Sequence, residues 1–364
     1  MVVTKITSFF RGIDWLLIGS VFFLVLIGLQ AIYSLSLGDV GLTRFDKQLV
    51  AIFFGIILFL FGYFIDYRKL GSLSWFLYGT SITGLLLVLF LGTTFGGTTG
   101  WFVLGNFSFQ PVEFIKIFSV IIMAYHMNRR VVVNGPRLWL ESLLILLPIV
   151  LLLAMQPDFG PIFLLLLLWF ILNAVRGLSK NQWFILFGMV IIVAVIGWFG
   201  VLSEVHQGRI TNFLNPSADP TGGGFQVNQS IIAVGSGGIV GRGIGEGFQS
   251  QLNFLPAAAT DFIFASILEE RGFVGFLIIL LLFTIFYWRI LRILNKVRDP
   301  YSQYLVLGLG LLLLVQTLLN IAMNIGLAPV VGLSLPFLSY GGSALIAEFF
   351  LVGILMNVVV RQKF

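Results

Sequence analysis

Apolar runs of close to twenty residues recur along the chain and are broken by short polar segments. A helix needs roughly 20 mostly apolar residues to cross the hydrocarbon core of a bilayer. By that ruler the pattern predicts ten spans, at 14–36, 46–65, 72–92, 111–127, 138–155, 159–175, 183–202, 270–290, 303–325 and 340–360. The fourth and sixth are short, and little more than Gln156-Pro157-Asp158 separates the fifth from the sixth, which predicts a tight helical hairpin. The expected fold is an all-α polytopic integral membrane protein, about ten transmembrane helices in a single membrane domain covering 1–364. One connection stands apart. Residues 203–261 form a long extracytoplasmic loop, and loops of that length are typically functional. Within it, Gln226–Val234 has the pattern of a short amphipathic helix lying near the outer membrane surface. No internal repeat is evident.

Composition agrees with the membrane class: 59% of the 364 residues are hydrophobic and 10% charged, against about 25% charged in ordinary soluble domains. The absence of cysteine excludes disulfides and thiolate chemistry. A net charge of +6 would suggest nucleic acid in a soluble protein; here most of it sits in short loops, where it sets topology. With a cytoplasmic N-terminus, the inner segments hold Lys5, Arg11, Arg68, Lys69, Arg129, Arg130, Arg137, Arg176, Lys180, Arg289, Arg292, Lys296, Arg298, Arg361 and Lys363, fifteen of the 21 basic residues. The outer loops hold Arg44, Lys47, Arg209 and Arg242, and none at 93–110 or 327–338. Both termini are therefore expected in the cytoplasm. Met1–Arg11 leads straight into an apolar run too long for the core of a cleavable signal.

Charges set against this apolar background mark the candidate chemistry. Leu255–Gly272, LPAAATDFIFASILEERG, carries Asp261, Glu269, Glu270 and Arg271 at the lip of a span. Asp261 is placed for a general base at the outer face, or alternatively Thr260 or Asp261 caps the helix that follows. Glu113 and Lys116, three apart behind Pro111, share one helical turn as a structural ion pair or as the lining of an interior polar cavity; the cavity is favoured because charges within spans normally face the bundle interior. Asp158 sits in an ordinary turn sequence. The glycine run GSGGIVGRGIGEG, with Arg209 and Arg242 nearby, reads as a flexible linker more readily than as a phosphate cradle, since it lacks both a preceding strand and a Walker lysine. His126 and His206 lack metal-site spacing, and Glu141 and Glu348 have no assigned partner. The tail Leu335–Ser343, LPFLSYGGS, which includes Ser339, is a re-entry into the last span that serves packing or a cavity lining.

Seven stretches in order, FQPVEFIK (109–116), QPDFG (156–160), RITNFLNP (209–216), the Gln226/Gln229 region, GSGGIVGRGIG, Leu255–Gly272 and Asn320–Ser343, resemble the RodA/FtsW/SpoVE (SEDS) family across essentially the whole chain. SQLNFLP (250–256) and the short termini look most like its RodA branch. The resemblance implies a ten-helix peptidoglycan glycosyltransferase of the bacterial plasma membrane, polymerising lipid II at the outer face in cell-wall elongation and cell-shape control. Its partners would be lipid II, undecaprenyl-pyrophosphate-linked glycan, membrane lipids and a class B penicillin-binding protein, with no nucleic acid. The family's essential aspartate falls on Asp261, its fourth-span pair on Glu113 and Lys116, and its aspartate after the fifth span on Asp158. Asp261 is then the expected catalytic base, and Glu113, Lys116, Asp158, Arg209, Arg242, Glu269, Glu270 and Ser339 are the expected substrate or cavity residues. No protein metal site is expected, although a divalent cation (Mg or Mn) held by the carboxylates could assist the diphosphate. Departures from the family pattern are Gly100 in place of arginine, Val112, Pro161, Ala257, Ala259 and Arg271. A flippase for lipid-linked saccharides and a non-enzymatic scaffold activating the penicillin-binding protein are the competing readings.

Overall fold

The computed structural model describes residues 12–37, 43–105, 107–129, 136–175, 178–201, 204–214 and 223–362. Lys5, Arg11, Arg130, Arg176 and Lys363 lie outside the described residues, as do Asn215, Pro216 and the side chain of His206. Each predicted span falls on a helix. In chain order these are α1 (Trp15–Leu35), α2 (Arg44–Phe64), α4 (Ser74–Leu91), after the short α3 (Tyr67–Ser72), then α5 (Val112–Arg129), α6 (Pro136–Met155), α7 (Phe159–Ala174) and α8 (Lys180–Ile196). The 203–261 segment folds as α9 (Glu204–Leu214), α10 (Gly223–Ser236) and α11 (Phe248–Gln251), and the chain finishes with α12 (Ile263–Lys296), α13 (Pro300–Asn324) and α14 (Gly342–Arg361). Among the described residues eight helices are long and apolar enough to cross a membrane; α7, with 16 residues, and α5, which carries Glu113, Lys116 and Arg129, fall outside that test. The protein is a multi-pass membrane protein. Phe90, Phe184 and Phe199, all more than three-quarters exposed, belong to its lipid-facing surface.

Local sequence sets the helix ends. Thr43 and Asp46 form a reciprocal capping box on α2, and Asp299 caps α13 just before Pro300. Asp14 caps α1 and also pairs with Arg289 of α12 at 2.6 Å, tying the first span to the eighth. At the same end of the bundle Arg361 pairs with Asp66 at 3.2 Å. With no hydrophobic drive between helices in lipid, close packing relies on small residues. A methyl group at Gly353 would overlap the Phe59 carbonyl, so α14 meets α2 backbone to backbone.

The opposite end holds irregular structure. Residues 93–109 form a three-stranded antiparallel sheet, β1 (Thr93–Phe95), β2 (Thr98–Leu104) and β3 (Phe107–Phe109), where the sequence suggested only a charge-free loop. Thr98 Oγ1 donates to the Pro157 carbonyl, and Ser343 Oγ accepts from Gln110 N and donates to the Ser108 carbonyl. The sheet is thus fastened to the α6–α7 turn and to the start of α14.

The glycine run is not a linker. At Gly272 (φ 62°, ψ −155°) α12 breaks, freeing backbone groups that cannot stay unpaired in a bilayer. The run partners four of them: Arg242 N and Gly243 N donate to the carbonyls of Glu269 and Glu270, and Phe273 N and Val274 N donate to those of Gly238 and Ile239. Both crossing points need glycine. Gly241 has φ 87°, and a methyl group there would overlap the Glu270 carbonyl. Helix α12 also begins before the predicted 270, so Glu269, Glu270 and Arg271 lie inside its first turns rather than at its lip.

This interlock predicts that Gly241→Ala will destabilise the folded protein by about 2 kcal/mol or more through strain and overlap. Gly19→Ala, which places its methyl in open space within α1, should leave the protein as stable or slightly more so. Thermal unfolding in detergent compares the two.

Candidate functional site

Asp261 lies in the turn that ends the long loop, directly before α12. Its backbone is held from three sides. The Nδ2 groups of Asn320 and Asn324, both fully buried on α13, each donate to the Asp261 carbonyl at 2.9 Å. Ser339 Oγ donates to the preceding Thr260 carbonyl at 2.7 Å, and Tyr340 N to that of Ala259 at 2.8 Å. Buried Ser339 also accepts from Leu335 N, so the LPFLSYGGS turn is a brace for the Asp261 turn.

The carboxyl group of Asp261 is spent on none of this. The residue that caps α12 is Phe262, without a side-chain bond, so the helix-cap reading of Thr260 or Asp261 does not hold. Among the described residues no hydrogen bond reaches the Asp261 carboxylate, which lies close to Gly332. Burial pushes its pKa above the ordinary carboxylate value, and the Arg209 guanidinium on α9 opposes that rise.

Arg209 also acts on Asp158, so one cation brings together two acids a hundred residues apart in sequence. Asp158 occupies the α6–α7 turn and accepts from Gln110 Nε2 at 3.3 Å. Burial, and then the neighbouring Glu113, raise its pKa to about 6, while Lys116, the Gln110 bond and Arg209 pull the other way. Glu113 and Lys116 form an ion pair at 2.8 Å, with Lys116 buried. Lys116 Nζ continues to Gln316 Oε1 at 3.4 Å, and Gln316 Nε2 donates to Ser334 O at 2.9 Å. Asp261, Asp158, Glu113, Lys116 and Arg209 therefore make one charged cluster at the sheet end of the bundle.

The other expected residues are placed differently. Glu269 is buried and accepts from Gln249 N, Ser250 N and Ser250 Oγ; Glu270 accepts from Gly245 N and Ser34 Oγ. Both bind the glycine run and α11 into place, and neither acts on Asp158 or Asp261. Arg242 is exposed and is likewise absent from the charges felt by those two acids. Glu141 faces Arg137 and His126, and Glu348 accepts from Phe337 N at 2.8 Å. Sequence reasoning missed Gln316, Asn320 and Asn324. Their signal was available: amide side chains spaced by four on a largely apolar helix. Among the described residues no three His, Asp or Glu side chains are grouped to hold a metal. The acids here are interleaved with a lysine and an arginine, a donor set that does not suit a protein-held divalent cation.

An apolar groove of about 340 Å³ adjoins this cluster, lined by Thr80, Gly84, Phe102, Phe109, Pro111, Phe114, Ile115 and Phe118. Gln110, between two of its lining residues, is the residue that bonds Asp158.

Comparison with known proteins follows the same outline. The family model described as "Cell cycle protein" (FTSW_RODA_SPOVE) matches residues 11–363. Stage V sporulation protein E of Bacillus subtilis is 35% identical over 95% of this chain and 96% of its own length. Peptidoglycan glycosyltransferase MrdB of Escherichia coli K12 is 36% identical over 91% and 89%. A chain from a structure described as structural coordination of polymerization and crosslinking by a peptidoglycan synthase complex superposes with a TM-score of 0.79 at 30% identity, covering 96% of this chain and 98% of that one. The rod shape determining protein RodA of Thermus thermophilus gives a TM-score of 0.69 at 28% identity, with 96% and 97% covered.

The raised pKa of Asp158 carries a stability prediction. The folded state holds this proton more tightly than the unfolded chain, so ionising Asp158 costs stability as pH rises from about 4 through about 6. Asp158→Asn should raise the melting temperature relative to the parent at about pH 8, and the gap should close near pH 4. Paired thermal melts across that range check it.

Proposed function

The chain belongs to the FtsW/RodA/SpoVE family, and on that premise we propose that it is a peptidoglycan glycosyltransferase that polymerises lipid II, with Asp261 as general base. The observation that carries this reading is the Asp261 carboxylate itself. It is free of hydrogen bonds from the described residues, on a rigid turn, and shares one arginine with a second acid.

In the proposed reaction Asp261 accepts the proton of a sugar hydroxyl as its oxygen attacks the anomeric carbon of the growing strand. The new C–O bond forms as the bond to the lipid diphosphate breaks, so the anomeric centre inverts and the diphosphate departs as an anion. The proton passes from Asp261 to water. Because the leaving group needs positive charge more than a proton, Arg209 and Lys116 are the stabilising groups, and Glu113 keeps Lys116 in place. A burial-raised pKa suits Asp261 to the role, since a base gains driving force as its proton affinity rises. The groove beside Gln110 has the size and lining for part of a polyprenyl chain whose head group lies at the cluster.

The sheet end of the bundle then faces outward, where the head group of such a substrate lies. The end holding the Asp14–Arg289 and Asp66–Arg361 pairs then faces the cytoplasm with both termini, a reading that the distribution of basic residues supports. The role is in elongation and cell shape, and the partner is a class B penicillin-binding protein that crosslinks the strands. The relative solved within a complex that couples polymerization to crosslinking supports such a pairing.

Asp261→Asn should lower glycan-strand synthesis by at least about 100-fold while the protein stays folded. The measurement is strand formation from labelled lipid II in detergent, with a partner transpeptidase that has no glycosyltransferase domain. In detergent there is no bilayer to cross, so strands made by the parent also separate an enzyme from a flippase. Full synthesis by the variant would overturn the assignment. In the parent, the rate should fall as pH drops through a value above the ordinary aspartate range, because only the ionised base is active.

A further inference from the structure

Gln316, Asn320 and Asn324 are spaced by four on α13, so their amides form one polar stripe along a largely apolar helix. Each of the three is buried, and each joins segments distant in sequence. Gln316 links Lys116 to Ser334; Asn320 links the Leu333 carbonyl (2.7 Å) to that of Asp261; Asn324 links the Asp261 carbonyl to Ala265 N through its Oδ1 (3.0 Å).

We infer that Asn320 and Asn324 are positioning residues for the reacting acid: two side-chain amides grip one peptide carbonyl and so fix the direction of the Asp261 carboxyl group. The inference rests on the reading of Asp261 as base. The geometry supports it in three ways. A carbonyl that accepts two bonds has both lone pairs engaged, which locks the Asp261–Phe262 peptide plane against rotation. Asn324 grips both sides of the junction, since its oxygen holds Ala265 in the first turn of α12 while its nitrogen holds Asp261. Asn320 ties the same carbonyl to Leu333, next to Gly332, against which the carboxyl lies. The carboxyl, the surface it faces and the helix it precedes are thereby held in one frame. Helix-to-helix adhesion alone would not require two donors on a single carbonyl of a residue whose own carboxylate accepts no hydrogen bond from the described residues.

The test uses the full-length protein with its transpeptidase partner. Asn320→Ala, Asn324→Ala and the isosteric Asn320→Asp are compared with Asp261→Asn and with Asn173→Ala, which removes a buried amide bonded only within α7. Misplacing a catalytic group by about 1 Å costs on the order of 100-fold in rate. The two alanine variants should therefore lose kcat on that scale with little change in KM. The acid limb of their rate–pH profiles should move to lower pH, because a freed carboxylate rehydrates. Arg209 is the charged side chain acting on it and is unchanged in all variants. Asn173→Ala should lower at most the folded fraction, with its pH limb unmoved. Should an alanine variant not fold, Asn320→Asp keeps the volume, loses the amide donor, and is expected to show the same kcat loss at neutral pH. Wild-type kcat and an unmoved limb in the asparagine variants, with Asp261→Asn inactive, would overturn the positioning inference alone. A fully active Asp261→Asn would remove the base and this inference together.

Discussion

A polar backbone group inside a bilayer has no water to turn to, and this structure is shaped by how it meets that requirement. Among the described residues the break in α12 and the turn carrying Asp261 both leave regular helix, and each is repaired by another part of the chain. The break in α12 at Gly272 is repaired by the glycine run, backbone to backbone. The turn carrying Asp261 is repaired by side chains, two asparagines and a serine. Irregular chain is tolerated where a functional group has to be presented, and the surrounding helices carry the partners that make it tolerable.

The charges follow a similar logic. An isolated ion would lose several kcal/mol of hydration on burial, and every acid in the cluster has a compensating group except at one atom pair. Glu113 has Lys116, Asp158 has Gln110 with Lys116 and Arg209 nearby, and Glu348, outside the cluster, has a backbone amide. Among the described residues Asp261 has the field of Arg209 and no hydrogen bond to its carboxylate. Its carboxylate is the least compensated of the set, which fits the proposed role of accepting a proton.

Much of this was legible in the sequence, because the bilayer imposes a length on apolar runs that a linear reading can measure. The predicted 14–36 and 46–65 became Trp15–Leu35 and Arg44–Phe64, and the Gln156–Asp158 hairpin was found where expected. Glu113 with Lys116 was visible from spacing alone. The eighth span was started too late because Glu269, Glu270 and Arg271 look like a polar border; their partners lie on α11, on α1 and in a glycine segment that composition reads as loose. The sheet at 93–109 was missed although Gly96-Gly97 between short Thr- and Phe-containing stretches is a hairpin signal. Asn320 and Asn324 were quoted only as part of a motif. Their purpose depends on a carbonyl sixty residues away, and no local pattern carries that pairing.

That separation along the chain has a consequence for biogenesis. The glycine run and the break it repairs are neighbours in sequence, so this knot can close as soon as α12 enters the membrane. The grip on Asp261 cannot, since α13 and the turn at Ser339 are made afterwards. The order of synthesis therefore leaves the acid loose until the last two spans arrive, and a nascent chain carries the Asp261 carboxylate unaimed until the bundle is finished.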